Sequence, residues 1–168
     1  ANEKGGVLGK HKTEAIAADT QSKADVAINE AERLLNQEKV DILLASLLNG
    51  ISGHVFDFDV THLETIIHPA GPVASALFPL AEYMPVTGAE LLHAFILGVE
   101  VECRIGNAVY PEHYEVGWHI TGTAGVFGSA AACGKLLGLD EQQMTWALGI
   151  AGTQSSGLRG MFGTPCKG

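Results

Sequence analysis

The chain has few cysteines, few basic side chains beyond its first quarter and no long apolar run, and each absence narrows the field. Its three cysteines, Cys103, Cys133 and Cys166, are odd in number, about 30 residues apart and never spaced as CxxC. That pattern suits neither a zinc knuckle nor a redox pair, and the thiols read as reduced and buried. The longest uncharged apolar stretch, residues 120–134, has 15 residues. A bilayer span needs about 20, so no membrane segment is expected. The opening ANEKGGVLGK lacks an apolar segment, so no secretory signal is expected there. Ten Lys and Arg against 19 Asp and Glu leave a net charge of −9. The overall field therefore argues against capture of nucleic acid, while a small anion needs only a local cationic patch.

What is present suffices for a core. The 168 residues are 46% hydrophobic and 17% charged. A chain of about 150 residues can bury roughly 70% of its unfolded surface, so one ordinary domain needs no disulfide or structural metal. The two parts of the chain nevertheless differ. Residues 1–45 hold six of the ten basic side chains, whereas residues 46–168 hold eighteen of the 21 glycines and six of the seven histidines.

The first part predicts strand, helix, strand. Gly5, Gly6 and Gly9 punctuate a turn, and Thr13 to Ala18 alternates weakly. Asp25 can cap a helix carrying Val26, Ile28, Ala31, Leu34 and Leu35, and Val40 to Leu44 suits a buried strand. The second part predicts helices throughout, over 46–56, 73–83, 88–109, 121–137 and 140–152. Thr87 with Glu90 and Asp140 with Gln143 have capping-box spacing. Small residues at 122, 125, 128 and 132 would let another helix approach closely.

The densest chemistry lies in HVFDFDVTHLETIIHP, residues 54–69. Asp57, Asp59, Thr61, His62 and His68 gather acids, bases and a hydroxyl where a helix gives way to a loop. His54, Asp57, Asp59 and His62 offer mixed nitrogen and oxygen ligands, but in no standard metal spacing. Capping by Asp59 or Thr61 with surface histidines is the bland alternative. His119 precedes the glycine-rich helix start Thr121-Gly122-Thr123-Ala124-Gly125, where N–H groups and the helix dipole favour an anion. The glycines there match neither GxGxxG nor a P-loop, and close helix packing explains them as well. Arg104 and Arg159 are candidates to hold a carboxylate, although Arg104 has Glu100 and Glu102 as potential partners. Lys167 alone reads as a solvated surface residue.

Two resemblances add to this. NEKGG, ADTQSK and AINEAERLLNQEKVD, within residues 1–45, resemble periplasmic substrate-binding proteins of the branched-chain amino acid type. LLNGISGHVFDFDVTHLETIIHPAGPVASAL, GVEVECRIG, HYEVGWHITGTAGVFGSAAACGKLLGL and ALGIAGTQSSGL, from about residue 46 onward, resemble the MmgE/PrpD family. That family includes 2-methylcitrate dehydratase, cis-aconitate decarboxylase and iminodisuccinate epimerase. The resemblance implies a mainly α fold: a partial helical domain over 46–168, without its lid domain, behind a short α/β segment over 1–45. It implies lyase chemistry on a small di- or tricarboxylic acid, a homodimer, a cytoplasmic location and no cofactor or metal. Its active-site residues fall on Asp57, Thr61, His68, His119 and Lys167, His68 being preferred to His62 because His-Pro follows the family pattern; His62, Arg104 and Arg159 stand beside these as candidate substrate contacts on their own chemistry. Val60 stands where the family loop often has a second acid. Without the lid, little or no turnover is expected of these residues alone. The first segment instead implies a solute-binding component for amino acids, periplasmic if preceded by a signal, and the join near residue 45 also fits a fusion.

Overall fold

The computed structural model describes residues 42–164. The strand and helix expected within residues 1–41 lie outside the described residues, as do Cys166 and Lys167. The first described helix, α1, runs Ile42–His54. Residues 42–44 are thus helical, which corrects the strand expected over Val40 to Leu44. A short apolar run cannot by itself distinguish strand from helix. Here it continues into the buried pair Ala45 and Leu48, three residues apart, as a helix face requires.

Four further helices of 13 to 22 residues follow. Helix α2 spans Ala70–Tyr83, with Pro72 in its first turn, where a missing N–H costs nothing. Helix α3 spans Gly88–Val109 behind the expected capping box. The Glu90 N–H donates to Thr87 Oγ1 at 3.3 Å and the Thr87 N–H to Glu90 Oε2 at 2.8 Å. Hydrogen bonds from the Thr87 backbone and hydroxyl hold the Glu90 carboxyl below its usual range. A single turn, α4 (Glu112–Glu115), leads to α5, Ile120–Leu136, which ends before Gly138 at φ 66°. Helix α6, Glu141–Thr153, starts at the second expected capping box, Asp140 with Gln143. A 3-10 turn, Arg159–Met161, completes the described chain.

Helix α5 is the centre of the bundle and packs against α2, α3 and α6. One core cluster joins Val73, Leu77, Ala94 and Ala132; a second joins Ile67, Ile120 and Ala124 beneath the loop that precedes α2. The small residues of α5 work as expected, letting α2, α3 and the C-terminal segment approach closely. A Cβ on Gly128 would stand 2.8 Å from the Gly98 carbonyl oxygen, and one on Gly98 2.7 Å from the Gly128 carbonyl oxygen. Gly125 abuts Pro72 of α2, and Gly122 meets the Ser156 carbonyl of the C-terminal segment. No described helix is long and apolar enough to cross a membrane.

Glu102 occupies this same seam. Its side chain is fully buried, with Oε2 2.9 Å from where a Gly128 Cβ would stand. Neither carboxyl oxygen has a hydrogen-bond partner among the described residues. Burial without a partner penalises the charged form and pushes its pKa up to about 9. The group is therefore a neutral acid at pH 7. Arg104, only two positions on, points away and pairs with Glu100 on the exposed face.

Two outcomes follow from this packing. Gly128→Ala must push backbone apart and is expected to destabilise the fold by about 1–3 kcal/mol. Gly149→Ala in α6, where a Cβ meets nothing within 4 Å, should stabilise it by about 0.5–1 kcal/mol. Urea midpoints measure both. Glu102 binds its proton more tightly folded than unfolded, so its contribution is complete below its unfolded pKa and is lost as pH rises toward 9. Glu102→Gln should therefore gain on the parent chain by about 1 kcal/mol per pH unit between roughly pH 6 and 8. A difference that does not change with pH would show that the carboxyl is not held neutral.

Candidate functional site

The loop between α1 and α2 is tied down at several points. Just past α1, Asp57 is exposed and takes φ 58°, a left-handed conformation that Asp tolerates better than most residues. Asp59 turns back instead. Its Oδ2 accepts a 2.7 Å hydrogen bond from His54 Nδ1, and its side chain is 7% exposed. Its Oδ1 lies against Gly71 in the first turn of α2, where a negative charge suits the helix dipole. Thr61 Oγ1 and the Val60 carbonyl each lie 3.2 Å from His68 Nδ1. A carbonyl can only accept, so Nδ1 carries the proton and Nε2 is the ring's other, open nitrogen. His62 is engaged locally. Its N–H donates to the Ile67 carbonyl at 2.9 Å and its Nδ1 meets Thr65 Oγ1 at 2.7 Å. Between them Ile66 takes φ 53°, an outlier for a β-branched residue, held by packing on the Ile67 and Ile120 cluster.

The second motif arrives at the same place. His119 is the N-cap residue of α5 and 6% exposed, and its ring stands edge-on to Phe162 at 4.9 Å between centroids. Its N–H donates to the Gly157 carbonyl, so the C-terminal segment folds back across the start of α5. The hydroxyl of buried Thr121, the second residue of α5, accepts from the His68 backbone N–H at 3.1 Å. That bond joins residues 53 apart and brings the two separately read motifs together.

Arginines and cysteines stand elsewhere. Arg104 is on the exposed side of α3 with Glu100. The Arg159 guanidinium lies 3.9 Å from the centroid of the Tyr114 ring and donates to the Tyr114 carbonyl at 2.7 Å, pinning the C-terminal segment to α4. Cys103 and Cys133 are free thiols, and burial is the first cause raising each above its usual pKa, as suits inert thiols. His54, Asp57 and Asp59 bring one nitrogen and two carboxylate oxygens within 4.8 Å of one another. The closeness of His54 and Asp59 is already accounted for by their own hydrogen bond.

Three engagements had no reading in the sequence. They are the Asp59–His54 pair, Thr121 as acceptor for His68, and His113, whose Nε2 meets Thr123 Oγ1 at 2.7 Å while its ring stacks on Trp118. The first and the His113–Trp118 stack are local enough to leave a signal, each a spacing of five residues.

Fold and geometry thus define a helical domain in which a loop of histidines, acids and threonines is tied by the His68 N–H to the start of α5, beside His119. Comparison with known proteins agrees. The model of the MmgE/PrpD N-terminal domain matches residues 6–168, and the chain belongs to the MmgE/PrpD family. The match begins well before residue 45, so it takes in most of the segment read as resembling a binding protein. Cis-aconitate decarboxylase from Aspergillus terreus is 35% identical over 127 residues, which cover 72% of this chain and 26% of that protein. The human cis-aconitate decarboxylase is 39% identical over 113 residues, 64% of this chain and 23% of that protein. The chain spans about a quarter of the length of these curated relatives.

If Thr121 anchors the loop, Thr121→Val should cost about 1–2 kcal/mol, because it leaves the His68 N–H without an acceptor at nearly constant volume. Hydrogen exchange of that amide should accelerate by roughly the same free energy. An unchanged exchange rate would show the loop is held by other means.

Proposed function

We propose that the chain carries part of a lyase site for a small di- or tricarboxylic acid, with Asp57, Thr61, His68 and His119 directed at the substrate. Lys167 supplies a further positive charge in this reading, and His62 buttresses the loop. Arg104 and Arg159, first candidates for a carboxylate, are already engaged within the chain by Glu100 and by Tyr114. The carrying observation is the hydrogen bond from the His68 N–H to Thr121, which couples the histidine loop to the helix start that His119 caps.

The chemistry explains why these residue types belong together. Loss of carbon dioxide from an unsaturated tricarboxylate breaks a carbon–carbon bond and leaves its electron pair on carbon, conjugated with the remaining double bond and carboxylate. The charge needs cationic or hydrogen-bonding partners as it develops, and one proton must then be delivered to carbon. His68 can present Nε2 outward because Nδ1 is occupied by Val60 and Thr61. His119, almost buried at the positive end of α5, is the second group able to move a proton. Dehydration and epimerisation need the same stabilised carbanion, so one constellation can serve all three. The names of the relatives favour decarboxylation of cis-aconitate as the first reaction to test.

The test is direct. Adding cis-aconitate to the isotopically labelled chain should shift the ring resonances of His68 and His119, and His68→Gln should weaken the binding by at least about tenfold. Resonances that stay put at millimolar cis-aconitate and citrate would overturn the assignment.

A further inference from the structure

We propose that Asp59 and His54 form a positioning pair that fixes which ring nitrogen of His68 faces the substrate. The inference rests on His68 being a substrate-facing residue, and it assigns a task to two side chains that the proposed chemistry leaves unused.

Three observations carry it. First, the pair is built and largely buried. His54 Nδ1 donates to Asp59 Oδ2 at 2.7 Å, with the two side chains 16% and 7% exposed. Second, the His54 ring packs on the His68 ring, with centroids 5.6 Å apart and planes tilted by 46°. A half-turn of His68 about its Cβ–Cγ bond, which would exchange the nitrogen facing Val60 for a carbon, has to push past that ring. Third, Asp59 anchors both walls of His68. On one side it orients His54; on the other it is joined through the backbone to Val60 and Thr61, whose oxygens take up the His68 Nδ1 proton. Asp59 is itself seated against Gly71 at the start of α2, so the chain of contacts ends on a rigid element.

A histidine free in water favours the Nε2–H tautomer. The arrangement here demands the opposite, Nδ1–H, leaving Nε2 with a lone pair when neutral and a proton directed outward when charged. His54 and Asp59 thus act through His68 and need not touch substrate. His54 Nε2 is buried and has no hydrogen-bond partner among the described residues, which agrees with a ring kept for its shape and for its Nδ1 donor.

Nitrogen-15 ring correlation spectra of the labelled 168-residue chain test this at alkaline pH, where histidines are neutral. In the parent chain His68 should be mainly the Nδ1–H tautomer. In His54→Ala and Asp59→Asn the balance should move toward Nε2–H, and affinity for cis-aconitate should fall by roughly ten- to a hundredfold. His54→Asn, whose amide can take the place of the Nδ1 donor, should restore much of the preference. A parent chain already in the Nε2–H form would overturn the proposal without any variant. So would either folded variant that keeps the Nδ1–H form. If cis-aconitate does not bind the parent chain, the substrate assignment fails, while the tautomer measurement still decides the role of the pair.

Discussion

The contact on which the rest of this domain depends is the crossing of α3 and α5 at Gly98 and Gly128. Each glycine stands where a side chain would meet the other's carbonyl oxygen, so the helices approach backbone to backbone. Such an approach sets the height and rotation of α5 against the bundle. Ala132 and Val73 close one end of the seam, and the Ile67, Ile120 and Ala124 cluster forms beyond the other. The start of α5, with His119 and Thr121, is thereby held where the loop from α1 can reach it.

The site is assembled from that fixed point outward. Thr121 takes the His68 N–H, Val60 and Thr61 take its ring proton, and the His54 ring, held by Asp59, lies 5.6 Å from it between centroids. Order in the loop comes from these hydrogen bonds and from burial of Ile67, whose cluster also holds Ile66 in its left-handed conformation. Glu102 shows the cost of the close seam. The space between α3 and α5 is too tight to solvate a carboxylate, so the acid is neutral and stability becomes tied to pH.

Much of this was legible one residue type at a time. The capping boxes at Thr87 and Asp140 are chemical spacings of three residues, and both occur as read. Gly138 ends α5 with a positive φ for the reason that glycine is common after helices. The small-residue pattern of α5 told that something would come close, but not that α2, α3 and the C-terminal segment would each meet a different glycine. The expected strand at 42–44 failed because a run of three apolar residues has no period of its own; the residues that follow gave it a helical one. Arg159, chosen for its charge, is held by an aromatic ring 45 positions earlier, a neighbour that spacing cannot disclose.

The sequence by itself determined the helical class, the ends of α3, α5 and α6, the acidic balance and the family, since each follows from local propensity, short-range capping or wording that survives in relatives. Only the tertiary structure decided that His68 Nδ1 meets Val60 and Thr61, that the His54–Asp59 pair lies beside its ring, and that Glu102 is a neutral acid in a glycine seam. Those features depend on contacts between residues far apart in the chain, and on the loss of water between them. Neither is a property of any short stretch of sequence.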